Sequence, residues 1–381
     1  MKQFFAPCPR GLETVLCDEL RAIGANDAVI FDGGASFRGN LEIAYRVNLE
    51  SRIASRILLK ILECGYENEN DLYRETASLP WDAWFSPDLT IKVALTATKS
   101  RLNSLDFATL RIKDALCDKF RQSHGKRPSV DTVNPDIRIH AHLTSDRFSL
   151  YIDTSGDALF KRGLRQSAGD APLRENLAAG ILHLSGWKPG IPLLDPMCGS
   201  GTFLMEAAQM ALSIAPGSGR SFAFEKLANF DRQKWEAIRN QSLEKRKPVE
   251  VLKIFGSDIL GRAIETARKN LIEAGLEKTV ELKQANFLEM SAPMPNGIIV
   301  TNPPYGVRMG EGDELAALYP RIGDALKKKF SGWNAYFFTA DMRLPKLIRL
   351  STSRRIPLYN GALECRLFEY RMVEGGNRKV R

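Results

Sequence analysis

Apolar positions in the N-terminal part of the chain recur with two spacings that alternate over short distances. In residues 11–25 they lie three or four apart, which predicts an amphipathic helix ending at Gly24. In residues 89–98 they alternate with polar residues, as in a half-buried strand. Further predicted elements are a strand near Phe37, helices over 40–48 and 104–125, a strand over 57–62, and a hairpin with strands over 137–143 and 148–153.

The C-terminal part alternates longer helices with short apolar strands, which is typical of an open, largely parallel α/β sheet. The predicted strands cover residues 191–195, 251–258, 280–286, 297–302 and 334–340. Asn360-Gly361 lies between two strand-like runs and predicts a closing antiparallel hairpin. Residues 213–248 are polar and long for a crossover, so we interpret them as a helical insertion. The pattern changes at the connector of residues 159–174, which is rich in Gly, Arg and Lys, and we place a domain boundary there.

Composition adds a preference for a polyanionic partner. Hydrophobic residues make up 44% of the 381 residues and charged residues 26%, an ordinary globular balance, while the net charge is +9. Such a basic excess suits nucleic acid, although charge alone also fits an unrelated soluble protein. The six cysteines are scattered and predict reduced thiols. We find neither a membrane span nor a signal peptide, and expect a soluble cytoplasmic protein.

Two stretches carry candidate binding chemistry. In LLDPMCGSGTFLMEAA, a strand ends at Asp195 and a turn with Gly199 and Gly201 leads into a helix, where free N–H groups can meet a polar ligand. Taken alone, the turn is equally consistent with a plain tight turn. The next strand ends at Asp258, which could accept hydrogen bonds from ribose hydroxyls or merely cap the following helix. Phe287, one strand later, could face an adenine ring or pack in the core.

The stretch TNPPYG carries candidate catalytic chemistry. The Asn302 oxygen and the Pro303 carbonyl can each accept a hydrogen bond from an amine, and the Tyr305 ring can stack on a flat base. An amine on an aromatic ring is a poor nucleophile because its lone pair is delocalised. Two acceptors would stabilise the charge that develops as that amine is alkylated. The alternative is a loop that the two prolines merely stiffen.

LLDPMCGSGT followed by TNPPYG resembles the class I S-adenosylmethionine-dependent amino methyltransferases. The connector and the stretch ASFRGNLEIAYRVNLESRIASRILLKI resemble one branch, in which an RNA-binding THUMP domain precedes the catalytic domain. Over nearly the whole chain the likeness is to the N-terminal half of the bacterial 23S rRNA guanine-N2 methyltransferases. It implies an α/β fold with three domains: a ferredoxin-like α+β region over 1–67, a THUMP domain over 68–156, and a Rossmann-like methyltransferase sheet with an antiparallel final hairpin over 157–381.

The resemblance also implies roles for individual residues. The catalytic loop corresponds to Asn302, Pro303, Pro304 and Tyr305. The residues expected to bind S-adenosyl-L-methionine are Pro172, Leu173, Glu175, Asp195, Met197, Cys198, Gly199, Ser200, Gly201, Thr202, Asp258, Ile259, Asn286 and Phe287. Many relatives have Asp where this chain has Asn286. Cys198 is expected to line the pocket rather than act as a nucleophile, and no metal is implied.

The function expected from the resemblance is methyl transfer to N2 of a guanine in 23S rRNA, either in a pre-ribosomal particle or as naked RNA. We expect no membrane partner; the oligomeric state stays open, with a monomer slightly favoured. Three alternatives stay open: an adenine-N6 DNA methyltransferase, a tRNA guanine-N2 methyltransferase, and an inactive RNA-binding assembly factor. The THUMP-like module favours RNA over DNA. The candidate basic contacts are Lys99, Arg101, Arg111, Lys113, Lys126, Arg127, Lys161, Arg162 and Arg165.

Overall fold

Two seven-stranded sheets organise the computed structural model, which describes residues 1–25, 27–162, 173–303 and 311–373. The N-terminal sheet has the strand order β2-β3-β1-β4-β7-β6-β5, and the C-terminal sheet has the order β10-β9-β8-β11-β12-β14-β13. Among the described helices, none is both long and apolar enough to cross a membrane.

The N-terminal sheet is mixed, and three of its four helices follow predicted segments, whereas the helix over Glu69–Ser78 was not predicted. Its strands are β1 (Lys2–Pro7), β2 (Val29–Phe31), β3 (Gly34–Gly39), β4 (Leu58–Gly65), β5 (Ile91–Ala97), β6 (Ile137–Leu143) and β7 (Arg147–Asp153). Its helices are α1 (Glu13–Ile23), α2 (Leu41–Glu50), α3 (Glu69–Ser78) and α4 (Leu105–His124). α1 ends at Gly24, whose φ of 115° suits a left-handed cap, and Ser104 Oγ accepts the Phe107 N–H at the start of α4.

The N-terminal strand β1 was not predicted, although it lies inside the sheet. It pairs antiparallel with β3 and with β4, and β4 pairs in turn with β7. The segments predicted as the ferredoxin-like and THUMP regions therefore share one continuous sheet. The boundary after residue 67 does not coincide with a break in that sheet, and it stays a prediction.

The C-terminal sheet confirms the predicted α/β class. Its strands are β8 (Leu193–Asp195), β9 (Ile254–Asp258), β10 (Glu281–Gln284), β11 (Gly297–Thr301), β12 (Trp333–Thr339), β13 (Arg354–Asn360) and β14 (Leu363–Arg371). Its helices are α5 (Glu175–Leu184), α6 (Thr202–Ala211), α7 (Arg232–Glu244), α8 (Gly261–Glu273), α9 (Glu311–Lys329) and α10 (Leu344–Leu347). The first five strands pair in parallel, and β13 and β14 form the predicted antiparallel hairpin. The strand order reverses between β8 and β11, and ligands bind at such switch points.

The predicted helical insertion packs against the N-terminal half. Its aromatic residues surround Tyr45 of α2, whose ring centroid lies 4.4 Å from that of Phe224, 5.9 Å from that of Phe230 and 6.1 Å from that of Trp235. Because Tyr45 and Phe224 are both almost fully buried, this contact belongs to the core. The insertion thus joins the two sheets and does more than connect α6 to β9.

A buried ion cluster makes a second connection between the halves. Glu206 of α6 accepts from Arg52 Nη1 at 3.3 Å and from Arg162 Nε at 3.2 Å, and its side chain is 2% exposed. Arg162 Nη2 also donates to the Arg52 carbonyl at 2.9 Å. The prediction that Arg162 is a surface contact for RNA is therefore wrong, because its side chain is 2% exposed and bonded to protein acceptors.

Glu206→Gln is expected to lower the free energy of unfolding by about 3 kcal/mol, because it removes the carboxylate that pairs with two buried guanidinium groups. Urea unfolding followed by tryptophan fluorescence measures the change. The matched control is Glu42→Gln, which breaks an exposed pair with Lys234 at 2.8 Å and should cost less than about 1 kcal/mol. Equal losses for the two variants would contradict the role given to Glu206.

Candidate active site

Four parallel strands bring the predicted site residues to one edge of the C-terminal sheet. β8 ends at Asp195 and β9 at Asp258, Asn286 follows β10, and Asn302 follows β11. Parallel strands end at the same edge, so these polar side chains share one surface. Asp195 and Asn302 flank the switch point itself.

The turn between β8 and α6 requires its two glycines. Gly199 and Gly201 have φ values of +52° and +82°, which residues with a Cβ rarely adopt. A Cβ on Gly201 would also lie 3.2 Å from the Ala267 Cβ of α8, whereas nothing lies within 4 Å of a Cβ built on Gly199. The turn is therefore tight against α8 at Gly201 and has open space at Gly199, where a ligand can approach the backbone.

Two side chains outside the predicted set hold this turn in place. Asn270 is 2% exposed and donates from Nδ2 to the Ser200 carbonyl at 2.9 Å. Thr301 Oγ1 donates to Asp195 Oδ1 at 2.9 Å and joins the ends of β11 and β8. A signal for Asn270 existed in the sequence, because it is a polar residue on the apolar face that Ala267 and Leu271 define in α8.

Asp258 ties the turn to the neighbouring strand. Its Oδ2 accepts the Gly199 N–H at 3.0 Å and its Oδ1 accepts the Leu260 N–H at 3.0 Å. A carboxylate has about four lone-pair positions, so two remain for further donors. Asp258 is not the N-cap of α8, which is Leu260, but its carboxylate accepts the Leu260 N–H, and the contact with ribose hydroxyls stays a prediction.

Asp195 is almost completely buried. Burial raises its pKa to about 7, nearby Asp258 acts in the same direction, and the hydrogen bonds from Thr301 and from the Met197 N–H oppose the shift. Burial, with the charges of Asp195 and Asp258, also raises the pKa of the Cys198 thiol. Cys198 consequently stays a neutral thiol near pH 7, as a wall residue would and a nucleophile would not.

The Asn302 Oδ1 atom is buried and has no hydrogen-bond partner in the described part of the chain. Leaving such an acceptor unpaired costs about 1–3 kcal/mol. A ligand with an N–H or O–H group would remove that cost. The position after β11 at the switch point is therefore suited to a donor from a bound molecule.

Beyond β10, the side chains divide between the core and the surface. The Phe287 ring is 5% exposed and its centroid lies 5.3 Å from that of Phe330, so this ring packs in the core, and its contact with adenine stays a prediction. Asn286 Oδ1 accepts the Leu288 N–H at 3.0 Å. Ile259, next to Asp258, is 61% exposed and offers an apolar surface beside the carboxylate.

The remaining predicted residues lie at the start of α5 and α6 or outside the described residues. Leu173 is buried before α5, Glu175 begins α5, and Thr202 begins α6. Pro172, Pro304 and Tyr305 fall outside the described residues, and their predicted roles stay predictions. In the described ranges, no group of three or more His, Cys, Asp or Glu side chains could hold a metal ion.

These features fit a nucleoside cofactor that carries a polar amino-acid tail. Asp258 can accept from ribose hydroxyls, exposed Ile259 can contact a base, and the open backbone at Gly199 can approach the cofactor closely. A Rossmann-like sheet with this edge defines a class I methyltransferase, which uses S-adenosyl-L-methionine. The chain belongs to the RMKL-like methyltransferase family, whose methyltransferase domain it matches over residues 162–369. A THUMP domain matches residues 66–153, and an RlmL ferredoxin-like domain matches residues 3–58.

Individual relatives extend the likeness to the whole chain. It is 40% identical to "Ribosomal RNA large subunit methyltransferase K/L" of Syntrophotalea carbinolica, over 98% of this chain and 54% of that protein. It therefore spans about half the length of that relative. It is 37% identical to "Putative RNA methyltransferase slr0064" of Synechocystis sp., over 97% of each chain. The crystal structure of "SMU.472, a putative methyltransferase complexed with SAH" is 32% identical, with a TM-score of 0.88 over 97% of this chain and 98% of the other.

Asp195→Asn is expected to change the pH dependence of stability. The folded-state pKa of about 7 lies above the unfolded value of about 3.9, so the folded state holds a proton between them that the unfolded state releases. The wild-type free energy of unfolding therefore loses this contribution as the pH rises from about 4 to about 7. In thermal melts without cofactor between pH 5 and pH 8, the stability of Asp195→Asn relative to wild type should increase as the pH rises. Parallel curves would contradict the buried, protonated state of Asp195.

Proposed function

We propose that the chain transfers a methyl group from S-adenosylmethionine to an exocyclic amine of a base in ribosomal RNA, specifically to N2 of a guanine in 23S rRNA. The observation that carries the proposal is the buried, unpartnered Asn302 Oδ1 at the switch point. An exocyclic amine is a donor of the kind this acceptor lacks.

The chain's own residues account for binding and orientation. Asp258, Ile259 and the turn at Gly199 would hold the cofactor, which supplies a methyl group on a positively charged sulfur. Asn302 Oδ1 would accept one amine hydrogen, and the Pro303 carbonyl a second, so that the lone pair points at the methyl donor. As the N–C bond forms and the bond from sulfur to methyl breaks, the extra proton on the nitrogen would leave to solvent. Proximity and alignment then supply most of the rate, and no covalent enzyme intermediate is needed.

The choice of RNA rests on the N-terminal half and on the relatives. The THUMP match covers residues 66–153, and the Syntrophotalea relative is named as a ribosomal RNA large subunit methyltransferase. A guanine in structured RNA must leave its stack to reach Asn302, which costs about a few kcal/mol. Contacts between the N-terminal half and the surrounding RNA would compensate for that cost.

Transfer of a labelled methyl group tests the proposal directly. Unmodified 23S rRNA made by transcription should accept label from S-adenosylmethionine, and nuclease digestion should return it as N2-methylguanosine. Label only in tRNA, or only in duplex DNA as N6-methyladenine, would replace the proposal with the corresponding alternative. Cofactor binding with no transfer to any of these nucleic acids would favour the inactive assembly factor.

Asn302→Ala is expected to lower turnover on 23S rRNA by about 10²–10³-fold, because it removes an acceptor that acts on charge developing during transfer. Calorimetry should find the affinity for S-adenosylmethionine nearly unchanged. Asn296→Ala is the matched control, since Asn296 is exposed and lies before β11 at the opposite end of the same strand.

A reciprocal variant separates catalysis from cofactor binding. Asp258→Asn keeps the side-chain volume but removes the charge, and should chiefly weaken cofactor affinity, by about tenfold or more. If Asn302→Ala instead lost cofactor affinity while keeping its turnover, the role proposed for Asn302 would be wrong.

A further inference from the structure

A large cleft opens between the two halves of the chain. Its volume is about 1210 Å³, and its walls come from the start of β6, the segment after β7, the residue before α5, the insertion, and the β13–β14 turn. Basic residues outnumber acidic ones six to three in this lining. We call it the basic cleft.

The basic cleft lies at the same edge of the sheet as the candidate active site. β14 runs antiparallel to β12, and Thr339 at the carboxyl end of β12 pairs with Arg366, close to the start of β14. The Gly361-Ala362 turn that precedes β14 therefore projects beyond the carboxyl ends of the parallel strands. This turn lines the cleft, and a Cβ on Gly361 would lie 3.6 Å from Arg174 Nη2.

Most basic side chains of the cleft already have protein acceptors. Arg138 lies 3.5 Å from Asp157, and Lys226 lies 2.6 Å from Asp136. The Arg220 guanidinium donates to three backbone carbonyls, those of Ser155, Asp157 and Ala158. These side chains form the walls of the cleft, but their charges are paired with carboxylates or their N–H groups are hydrogen-bonded to backbone carbonyls.

Lys161 and Arg174 are different. Both are exposed, and neither has a carboxylate partner in the described part of the chain. The Arg174 guanidinium lies over the half-buried Phe160 ring at 5.0 Å from its centroid, which orients the group and leaves its N–H edges for another acceptor. Two positively charged side chains on one wall therefore lack a carboxylate partner in the described part of the chain, and one of them is a planar guanidinium. Such groups are suited to bind the phosphates of a polyanion.

The size and the basic charge of the cleft favour a polyanionic chain over a small ligand. Small-molecule sites measure about 300–1,000 Å³, less than the volume of this cleft. Resting on the proposed function, we infer that the basic cleft binds the phosphodiester backbone of the RNA strand that flanks the target base, through Lys161 and Arg174. Among the predicted contacts in the N-terminal half, Lys113 pairs with Asp114 and Lys126 with Asp88.

The double variant Lys161→Ala/Arg174→Ala tests this inference. Filter binding of unmodified 23S rRNA transcript over a salt series should show affinity reduced about tenfold. The slope of log affinity against log salt should fall in magnitude by about 1.4, because two phosphate contacts are lost. Calorimetry should find S-adenosylmethionine affinity equal to that of wild type, and circular dichroism should find an unchanged fold.

The matched control is Lys188→Ala/Lys278→Ala. Both lysines are exposed and precede β8 and β10, so they lie at the opposite edge of the sheet, and the change in net charge is the same. If the two double variants lose affinity equally, or neither loses any, the cleft is not the RNA path, even where wild type methylates rRNA. A wild-type protein that neither binds nor methylates rRNA would overturn the proposed function itself. A variant Lys161→Glu that bound as wild type does would likewise exclude the cleft.

Discussion

The carboxylate of Glu206 is the charge on which the relation between the two halves depends. It faces two guanidinium groups, Arg52 from the N-terminal half and Arg162 from the connector, and all three are largely removed from water. Neither arginine could be buried there without a counter-charge, since an isolated charge costs far more than a paired one. Because Glu206 belongs to α6, one turn after the Gly199–Gly201 turn, the same cluster also fixes the helix that begins at the candidate active site.

At the edge of the C-terminal sheet, the polar groups divide into those that satisfy each other and one that does not. Asp195 is held by Thr301, and Asp258 by the N–H of Gly199, so the turn and three strands form one connected unit. Asn302 Oδ1 stays unpaired in the described part of that edge. An unpaired acceptor held among hydrogen-bonded neighbours is preorganised. The free-energy cost of ordering these groups is met during folding and not at the moment of reaction.

Much of this architecture could be predicted from the sequence, because the signals are local. Gly24 and Ser104 bound their helices, the predicted final hairpin forms with Asn360 ending β13, and the glycine turn follows Asp195 as expected. What could not be predicted depends on contacts between distant residues. β1 carries no strong periodicity and becomes a strand through pairing with β3 and β4, the insertion is ordered by packing around Tyr45, and Arg162 looks like a surface charge until Glu206 is placed beside it.

The number of basic residues is thus a poor guide to where RNA binds. Whether each basic side chain already has a protein acceptor is a better one. A cation that already has a carboxylate partner must give up that interaction, or share it, before it gains from a phosphate, so its net contribution is small. Lys161 and Arg174 carry no such cost in the described part of the chain, and they lie at the edge that holds Asn302. If these two side chains hold the backbone of the flanking RNA strand, the favourable free energy of those contacts can offset the cost of unstacking the target base. The unstacked base can then reach Asn302 Oδ1. Binding and catalysis would then share one edge of the sheet, and the buried cluster around Glu206 would keep the cleft and the acceptor at a fixed separation.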